Sequence, residues 1–295
     1  MTAASSAENK SFRETGAERL RRLALGTAYA VKPGRVSGLP GLWALWLRHR
    51  VSHGEDLPSP ERALTDPDGL CGICTKFDAE RMLEGYRRGL FVFSHIGPIK
   101  WWSPSTRPVL FYDEFKIEKR VRKLIRDGVF RYTFDTAFAD VVDACRRPRQ
   151  GKVPLTWMRP EIVTTFLDAF DAGDAHSVEV WNHDGALVGG AFGTAVGGLF
   201  IAESQFFRVS NASKAGYVVL NRHLQEWGFT LNDAKFQSPF MAQQGYRDMP
   251  RREYLDVTSS VAGQPLKPGR WRVDPALEVA AWKPAAASPA KDAAA

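Results

Sequence analysis

Cysteine is scarce in this sequence, with three residues in 295. They are Cys71, Cys74 and Cys145. An odd number this small cannot form the disulfide framework that stabilises small secreted domains. Cys71 and Cys74 have the spacing of half a zinc site or of a redox pair, but no second Cys/His pair follows at ligand spacing. We therefore expect free thiols, no bound metal and a reducing, cytoplasmic compartment.

Long apolar runs are also missing. The best apolar stretch, from Leu39 to Leu47, is interrupted by Pro40 and Gly41 and falls far short of the roughly 20 residues that span a bilayer. The first ten residues are polar and lack the apolar core of a secretory signal. The sequence therefore predicts no membrane span. The Leu39 to Leu47 stretch could still lie on a membrane surface, or pack as a helix on the rest of the protein.

Acidic residues are fewer than basic ones, 33 against 40, which gives a formal net charge of +7. Nine basic and three acidic residues precede Gly54, so the excess lies near the N-terminus and the rest is nearly neutral. Such an excess indicates an anionic partner such as nucleic acid. We predict a basic N-terminal extension, 1–54, a small N-terminal domain, 55–108, a main domain, 109–275, and a disordered Ala/Pro-rich tail, 276–295.

One predicted helix of the main domain is strongly basic. From Lys116 to Asp127, apolar residues recur at helical spacing, and basic residues occupy the remaining surface. The basic set is Lys116, Lys119, Arg120, Arg122, Lys123 and Arg126. These residues are our candidates for binding an anionic partner, and the alternative is an ordinary solvated surface.

The remaining periodicity predicts the architecture of the main domain. It gives a strand near Phe130, two helices, three strands from His176 to Phe207, a helix from Ser213 to Trp227 and a strand from Phe229 to Lys235. This order, β-α-α-β-β-β-α-β, is that of the GCN5-related N-acetyltransferase (GNAT) fold, whose mixed sheet splays open to admit an acyl donor. The predicted class is α+β: a GNAT-like mixed-sheet domain with a small N-terminal α/β domain.

A series of short segments carries a more specific resemblance. The segments are Gly85-Tyr86-Arg87-Arg88-Gly89-Leu90-Phe91, Trp101-Trp102-Ser103-Pro104, Thr156-Trp157, Ala175 to Trp181, Leu187-Val188-Gly189-Gly190, Glu203-Ser204, Asn211-Ala212-Ser213-Lys214 and Pro250 to Leu255. In order and spacing they resemble the leucyl/phenylalanyl-tRNA-protein transferases, over roughly Leu57 to Pro275. A string of linked motifs is far more specific than one short motif.

The resemblance implies a particular reaction. Members of this family move Leu or Phe from aminoacyl-tRNA to a protein whose N-terminus is Arg or Lys, which marks that protein for degradation as an N-degron. The resemblance implies no metal or small-molecule cofactor, because the ester to tRNA is already activated. The implied partners are the acceptor end of aminoacyl-tRNA and proteins with N-terminal Arg or Lys. We expect the protein to be a monomer.

Two carboxylates are the predicted catalytic residues. Aminolysis of an ester needs a neutral amine and a group that takes its proton. Glu203 lies in an otherwise apolar strand, and Asp233 lies near the C-terminal end of another, where such sheets usually place their chemistry. Each could instead be a hydrogen-bonded structural carboxylate. The resemblance would make Asp233 part of the proton-accepting system and Glu203 a ligand of the aminoacyl group.

The resemblance also implies a set of substrate-binding residues. Phe93 falls where the family has a tryptophan that stacks on the terminal adenine of tRNA, and an unpaired base offers a flat face for such stacking. The others are Tyr86, Trp102, Trp157, Ala191, Ser204, Gln205 and Lys235. Of the adjacent Trp101 and Trp102, we expect one to belong to the core.

Some of these positions depart from the family pattern. The family's Asp-Cys-Gln segment reads Asp233-Ala234-Lys235 here, so a lysine replaces the glutamine thought to relay charge to the aspartate. Alternate residues of a strand share a face, so Lys235 is predicted to lie beside Asp233, weaken it as a base and repel a cationic acceptor. Ala191 and Gln205 replace methionines of the family's apolar pocket. These changes predict altered or lost specificity.

Two other functions stay open at this point. A CoA-dependent N-acetyltransferase of the same fold would need a glycine-rich turn that holds pyrophosphate, but the segment from Arg208 to Ser213 lacks both glycines. A non-catalytic tRNA-binding or degron-binding protein descended from the enzyme is compatible with Lys235.

Overall fold

The computed structural model describes residues 12, 14–32, 38–52, 57–147, 155–264 and 269–284. Within these ranges ten strands form two sheets, which are covered by helices. The α+β class predicted from the sequence is therefore confirmed. Elements are numbered below in chain order.

The described part of the predicted N-terminal extension contains two helices, α1, Gly16–Ala30, and α2, Leu39–Ser52. α1 begins with a capping box: the Thr15 hydroxyl accepts from the Glu18 backbone N–H, and the Glu18 carboxylate accepts from the Thr15 backbone N–H. None of the helices in the described ranges has the length and apolar character needed to cross a membrane.

A three-stranded antiparallel sheet follows the extension. Its strands are β1, Leu70–Ile73, β2, Phe91–Val92, and β3, Lys100–Trp102. The order is β1-β3-β2, and α2 packs on β1. Helix α3, Ala79–Arg87, connects β1 to β2. Its cap, Asp78, accepts a hydrogen bond from the Arg81 backbone N–H at 2.9 Å.

The larger sheet has seven strands. They are β4, Thr106–Phe111, β5, Arg131–Phe134, β6, Ala175–Trp181, β7, Leu187–Val196, β8, Leu199–Phe207, β9, Leu231–Asp233, and β10, Arg247–Pro250. Their order is β10-β4-β9-β8-β7-β6-β5. β8 and β9 are parallel, and the other neighbours are antiparallel. The sheet is therefore mixed.

Helices pack on both faces of this sheet. They are α4, Lys119–Arg126, α5, Phe138–Arg146, α6, Pro160–Ala172, α7, Ala212–Glu226, α8, Pro239–Gln243, and α9, Arg251–Val261. The first core includes residues of α5, α6, α9 and the small sheet, and the second includes residues of α4 and α7. Along β8, Leu199 and Ile201 belong to the first core and Phe200 to the second, as alternation along a strand requires.

From β5 to β9 the order is the β-α-α-β-β-β-α-β predicted from the sequence. Three predicted boundaries are wrong by more than one residue: the start of α4 and both ends of β9, which begins at Leu231 instead of Phe229. α4 begins at Lys119 instead of Lys116, because Glu118 still has extended backbone angles. β9 ends at Asp233 instead of Lys235, because Lys235 has a φ of 64°, which no strand accommodates.

The segment 269–284 closes the second core. The Trp271 side chain is 1% exposed and stacks on the His176 ring, with centroids 3.5 Å apart. Trp282 is also buried, and its ring stacks on Phe115. The first part of the predicted tail therefore packs on the main domain, and residues 285–295 lie outside the described residues.

Removing the Trp271 ring tests this closure. We expect Trp271→Ala to lower the free energy of unfolding by about 3 to 5 kcal/mol, because the change leaves a cavity in the second core. Trp43→Ala is the matched control, since that ring is 67% exposed on α2, and it should cost less than about 0.5 kcal/mol. Urea unfolding of both variants measures the difference. Equal losses would show that the segment does not contribute to the core.

Candidate active site

Two buried ion pairs lie where β8 and β9 separate. The two strands pair only between Leu199–Ile201 and Leu231–Asp233, after which β8 continues to Phe207 while β9 stops. Arg107 of β4 pairs with Asp233, and Lys235 pairs with Glu203 of β8. All four side chains are 5% exposed or less. Burying an ion pair this deeply costs desolvation free energy. The attraction between the two charges offsets that cost only when further hydrogen bonds satisfy the remaining donors and acceptors of both side chains.

The Asp233 carboxylate is fully engaged within the protein. Its Oδ1 accepts from Arg107 Nε at 3.2 Å and from the Lys235 backbone N–H at 2.8 Å. Its Oδ2 accepts from an Arg107 terminal nitrogen and from the Tyr254 hydroxyl, the latter at 2.8 Å. Four donors thus surround a carboxylate that has no exposed surface. The arrangement supplies the hydrogen bonds that a structural carboxylate requires.

Arg107 is a site residue that the sequence did not predict. Its guanidinium also donates to the Gly89 carbonyl oxygen at 2.8 Å, and it lies 4.7 Å from the Phe91 ring centroid and 4.3 Å from that of Tyr254. Burial alone would lower the pKa of Arg107, but the neighbouring Asp233 carboxylate outweighs it and the pKa is raised. The sequence feature that could have identified Arg107 is the presence of an arginine inside the apolar strand β4.

Glu203 is brought to the site by a β-bulge. Between β7 and β8, Phe192 pairs with Ser204 and Gly193 with Ala202, so Glu203 is the extra residue on β8. A bulge redirects the side chains around it, and such bulges are frequent at active sites. The Glu203 Oε1 accepts from the Tyr86 hydroxyl at 2.6 Å, and Oε2 accepts from the Lys235 ammonium. Burial and the adjacent Glu203 carboxylate raise the pKa of Tyr86.

Lys235 lies differently from the prediction. Its left-handed backbone turns the chain out of β9, and its ammonium bonds to Glu203 and lies 4.5 Å from the Trp157 ring centroid. Only the Lys235 backbone N–H reaches Asp233. The prediction that the Lys235 ammonium lies beside Asp233 is therefore wrong, because the strand ends too early for the two side chains to share a face. The cation beside Asp233 is Arg107.

Aromatic side chains adjoin the ion pairs. The Phe93 ring centroid lies 5.7 Å from that of Trp157 and 5.1 Å from that of Phe236, a residue that the sequence did not single out. The Trp102 indole N–H donates to the Phe93 carbonyl oxygen at 2.8 Å. Trp101 is buried, so the expectation that one of the adjacent tryptophans belongs to the core is confirmed. We call Phe93, Trp102, Trp157 and Phe236 the aromatic group.

Two predicted pocket residues lie elsewhere. Ala191 and Gln205 are partners in the β7–β8 register. Ala191 belongs to the second core, whereas Tyr86, which holds Glu203, belongs to the first. The structure therefore does not bring Ala191 together with the ion pairs. Ser204 directly follows Glu203 in the bulge and is half-buried.

The predicted basic face on α4 is confirmed in part. The exposed members are Lys116, Lys119, Arg120, Lys123 and Arg126. Arg122 is an exception, because its guanidinium donates to the carbonyl oxygens of Ala280 and Trp282, both at 2.7 Å. Arg122 therefore anchors the C-terminal segment instead of facing solvent. Lys123 and Arg126 both pair with Asp127 at the end of the helix.

Cys71 and Cys74 are free thiols, as the sequence predicted. The Cys71 thiol donates to the Gly69 carbonyl oxygen at 3.3 Å and the Cys74 thiol to that of Lys76 at 3.0 Å. Burial raises the pKa of each thiol to about 12. Within the described ranges, no cluster of three or more His, Cys, Asp or Glu side chains could hold a metal ion.

Three features together have the character of an enzyme site in an α+β protein. They are the mixed sheet, the Glu203 carboxylate near the point where two parallel strands separate, and the adjoining aromatic rings. Two family models match the chain. The leucyl/phenylalanyl-tRNA protein transferase N-terminal domain matches residues 75–105, and the leucyl/phenylalanyl-tRNA protein transferase domain matches residues 109–259. The chain belongs to the leucyl/phenylalanyl-tRNA protein transferase family.

Individual relatives agree with this assignment. A leucyl/phenylalanyl-tRNA–protein transferase of Thiobacillus denitrificans is 40% identical over 229 residues, which are 77% of this chain and 100% of the relative. Its counterpart in Pseudomonas syringae pv. tomato is 42% identical over 202 residues, 68% of this chain and 87% of the relative. One from Azotobacter vinelandii is 42% identical over 200 residues, 68% of this chain and 88% of the relative.

A double-mutant cycle tests whether Lys235 and Glu203 are coupled. Lys235→Met leaves a buried carboxylate without its cation, so we expect the free energy of unfolding to fall by about 3 to 5 kcal/mol at pH 7. Adding Glu203→Gln removes the second charge and should restore at least half of that loss. Urea unfolding of the wild type, both single variants and the double variant measures the coupling.

The control for this cycle is Lys123→Met, which breaks the exposed pair with Asp127 and should cost less than about 1 kcal/mol. Strictly additive losses in the cycle would mean that Lys235 and Glu203 do not interact in solution.

Proposed function

We propose that this chain is an aminoacyltransferase that moves an amino acid from aminoacyl-tRNA to the N-terminal amine of a protein. The observation that carries the proposal is the placement of Glu203 and Tyr86 beside the aromatic group, in a chain of this family. Leu and Phe are the amino acids that the relatives' names give. The acceptors would be proteins with N-terminal Arg or Lys, modified in the cytoplasm by a monomeric enzyme and marked for degradation as N-degrons.

We also propose that the main domain has an acetyltransferase-like fold. The support is the parallel pair β8–β9, which parts after Ile201, with α7 as the connection between the two strands. An acyl donor would enter where the strands part. Glu203 follows this point by two residues, so a donor placed there would meet its carboxylate.

The reaction sets the roles of the two carboxylates. The acceptor nitrogen attacks the ester carbonyl carbon and gives up a proton, the bond to the ribose oxygen breaks, and that oxygen takes up a proton and leaves as the ribose hydroxyl. The Glu203 side chain is as unexposed as that of Asp233. It would therefore contact the aminoacyl group only where the donor takes the place of the Lys235 ammonium on Oε2, with Tyr86 fixing Oε1. Asp233 has no surface open to a substrate, and Tyr254, whose hydroxyl donates to it, is equally buried. Asp233 would therefore join the proton-accepting system only through a chain of buried groups.

The aromatic group would hold the other half of the donor. The terminal adenine would stack on Phe93, with Trp102 and Trp157 beside it, since an unpaired base gains about 1 to 3 kcal/mol from each aromatic stack. The exposed basic face of α4 would contact tRNA phosphates farther from the ester. Ser204 and Lys235 would border the aminoacyl group, whereas Ala191 and Gln205 would act only from the other face of the sheet.

The charges of the site cancel. Arg107 and Lys235 supply two positive charges, and Asp233 and Glu203 supply two negative ones. With the family's glutamine at position 235, the same site would carry one net negative charge. A neutral site attracts a cationic N-terminal residue less strongly. We therefore propose that this protein distinguishes Arg or Lys acceptors less sharply than the family pattern implies.

A second candidate is a non-catalytic tRNA-binding or degron-binding protein. One observation favours it: both candidate catalytic carboxylates are engaged in buried ion pairs inside the protein. This function would keep the aromatic group and the basic face but not the transfer reaction.

A transfer assay separates the two candidates. The protein is incubated with a mixture of charged tRNAs and a library of peptides that differ in their N-terminal residue, and mass spectrometry records the product. We expect peptides to gain the mass of one amino acid. Glu203→Gln should lower kcat/KM by about 10- to 100-fold, because a hydrogen bond to a charged group is lost. Glu84→Gln, on the exposed side of α3, is the control and should leave kcat/KM unchanged.

Binding of charged tRNA without any transfer would reject the enzyme in favour of the binding protein. Transfer that is unaffected by Glu203→Gln would reject the site assignment while keeping the activity.

A further inference from the structure

A cavity of about 580 Å³ lies between the N-terminal extension and the small domain. The lining residues used below are Gly26, Tyr29, Asp66, Phe93, Lys100 and Trp102. Phe93 and Trp102, with Phe236, also belong to the aromatic group, so the cavity adjoins the candidate active site. Tyr29 and Gly26 belong to α1, which precedes residue 75, where the family matches begin. The extension therefore builds part of a cavity that the matched domains alone would leave incomplete.

α1 docks on the loop between β2 and β3 through three residues spaced one helical turn apart. Arg22 donates to the His95 carbonyl oxygen at 3.3 Å. Gly26 approaches Ile96 so closely that a Cβ added there would lie 1.9 Å from Cγ2. The Tyr29 ring packs edge-on against the His95 ring, with centroids 5.5 Å apart. The spacing i, i+4, i+7 places all three on one face of the helix, so the position of Tyr29 is fixed by docking.

The walls of the cavity combine flat rings with polar groups. Tyr29, Phe93 and Trp102 offer aromatic surface, which suits a nucleobase. The Asp66 carboxylate can accept from a base amino group or a ribose hydroxyl. The Lys100 ammonium already donates to the Ser94 hydroxyl and to the carbonyl oxygens of Ile96 and Pro98, so it contributes positive charge to the wall but no free donor. The volume is within the roughly 300 to 1,000 Å³ typical of small-ligand sites. An occupant made of hydrocarbon alone would offer no donor to the Asp66 carboxylate.

Charges around the cavity favour an anionic occupant. The Lys32 ammonium lies 5.5 Å from the Tyr29 ring centroid, so a cation borders the ring that α1 contributes. Glu14 is neutralised by its ion pair with Arg22, while Glu18 belongs to the capping box at the far end of α1. The remaining balance is positive even with Asp66 included.

We propose that this cavity binds the unpaired nucleotide that precedes the terminal adenosine of aminoacyl-tRNA, and that Tyr29 stacks on its base. The inference rests on the proposed function, in which the terminal adenine stacks on Phe93. Phe93 lines both sites, so an acceptor strand that leaves the terminal adenosine would pass directly into the cavity. The N-terminal extension is thereby a tRNA-binding element of this protein.

Kinetics with two minimal donors tests the proposal. The first donor is leucyl-adenosine, and the second is the leucyl ester of a dinucleotide that ends in adenosine. With the dinucleotide, Tyr29→Ala should raise KM about 5- to 100-fold and change kcat less than twofold, because one stacking contact is lost. With leucyl-adenosine, the same change should leave both constants within twofold of wild type. Tyr29→Phe keeps the ring and should restore the dinucleotide KM.

Three further variants separate stacking from folding. Leu20→Ala changes a residue that is 70% exposed on the same helix and should leave both donors unaffected. Gly26→Val should displace α1 from Ile96 and raise the dinucleotide KM as Tyr29→Ala does, whereas Gly16→Val, which meets nothing within 4 Å, should not.

The outcomes distinguish this inference from the proposed function. Equal effects of Tyr29→Ala on both donors, or an effect on the KM of the acceptor peptide alone, would overturn the nucleotide site. A wild-type protein that transfers leucine from neither donor would count against the proposed function. In that case the affinity for the uncharged dinucleotide, measured by calorimetry, decides this inference: weaker binding by Tyr29→Ala supports it, and equal binding overturns it.

Discussion

The ion pair between Arg107 and Asp233 is the contact on which the rest of the site depends. It joins β4 to the end of β9 inside the protein, and the same guanidinium reaches the Gly89 carbonyl oxygen beyond α3. Tyr254 of α9 completes the hydrogen bonding of the carboxylate. A buried pair of this kind is stable only when all of its partners are in place, so it fixes the two sheets and α9 relative to one another. It also determines where β9 stops.

The end of β9 has a direct chemical consequence. Because the chain turns into a left-handed conformation at Lys235, the lysine side chain leaves β9 and pairs with Glu203 of β8. The bulge in β8 presents Glu203 at the same place. A second ion pair therefore occupies the opening between the parallel strands, and the four charges cancel. Any substrate group that binds Glu203 must compete with an ammonium that is already part of the protein.

Local signals made much of the fold predictable. Asp78 and Pro160 mark the starts of α3 and α6, and Gly173 ends α6 in a left-handed conformation, so these helices follow from residue type. Arg107 could not be assigned in the same way, because its partner lies 126 positions away and no periodicity connects them. The sequence pattern predicted that Lys235 continues strand β9, whereas tertiary packing gives this residue left-handed backbone angles. The contact between Tyr29 and His95 was likewise not predictable. It depends on how the N-terminal extension, which lies outside the family matches, docks on the loop between β2 and β3.

The most direct test of the neutral site is acceptor discrimination. It is measured as the ratio of kcat/KM for a peptide that begins with Arg to kcat/KM for one that begins with Ala, in the wild type and in Lys235→Gln. Removing one positive charge next to Glu203 should raise the preference for Arg about tenfold, as expected for one unit charge at short range in a partly solvated site. An unchanged ratio would contradict the proposal that the Lys235–Glu203 pair weakens the discrimination between Arg or Lys acceptors and others.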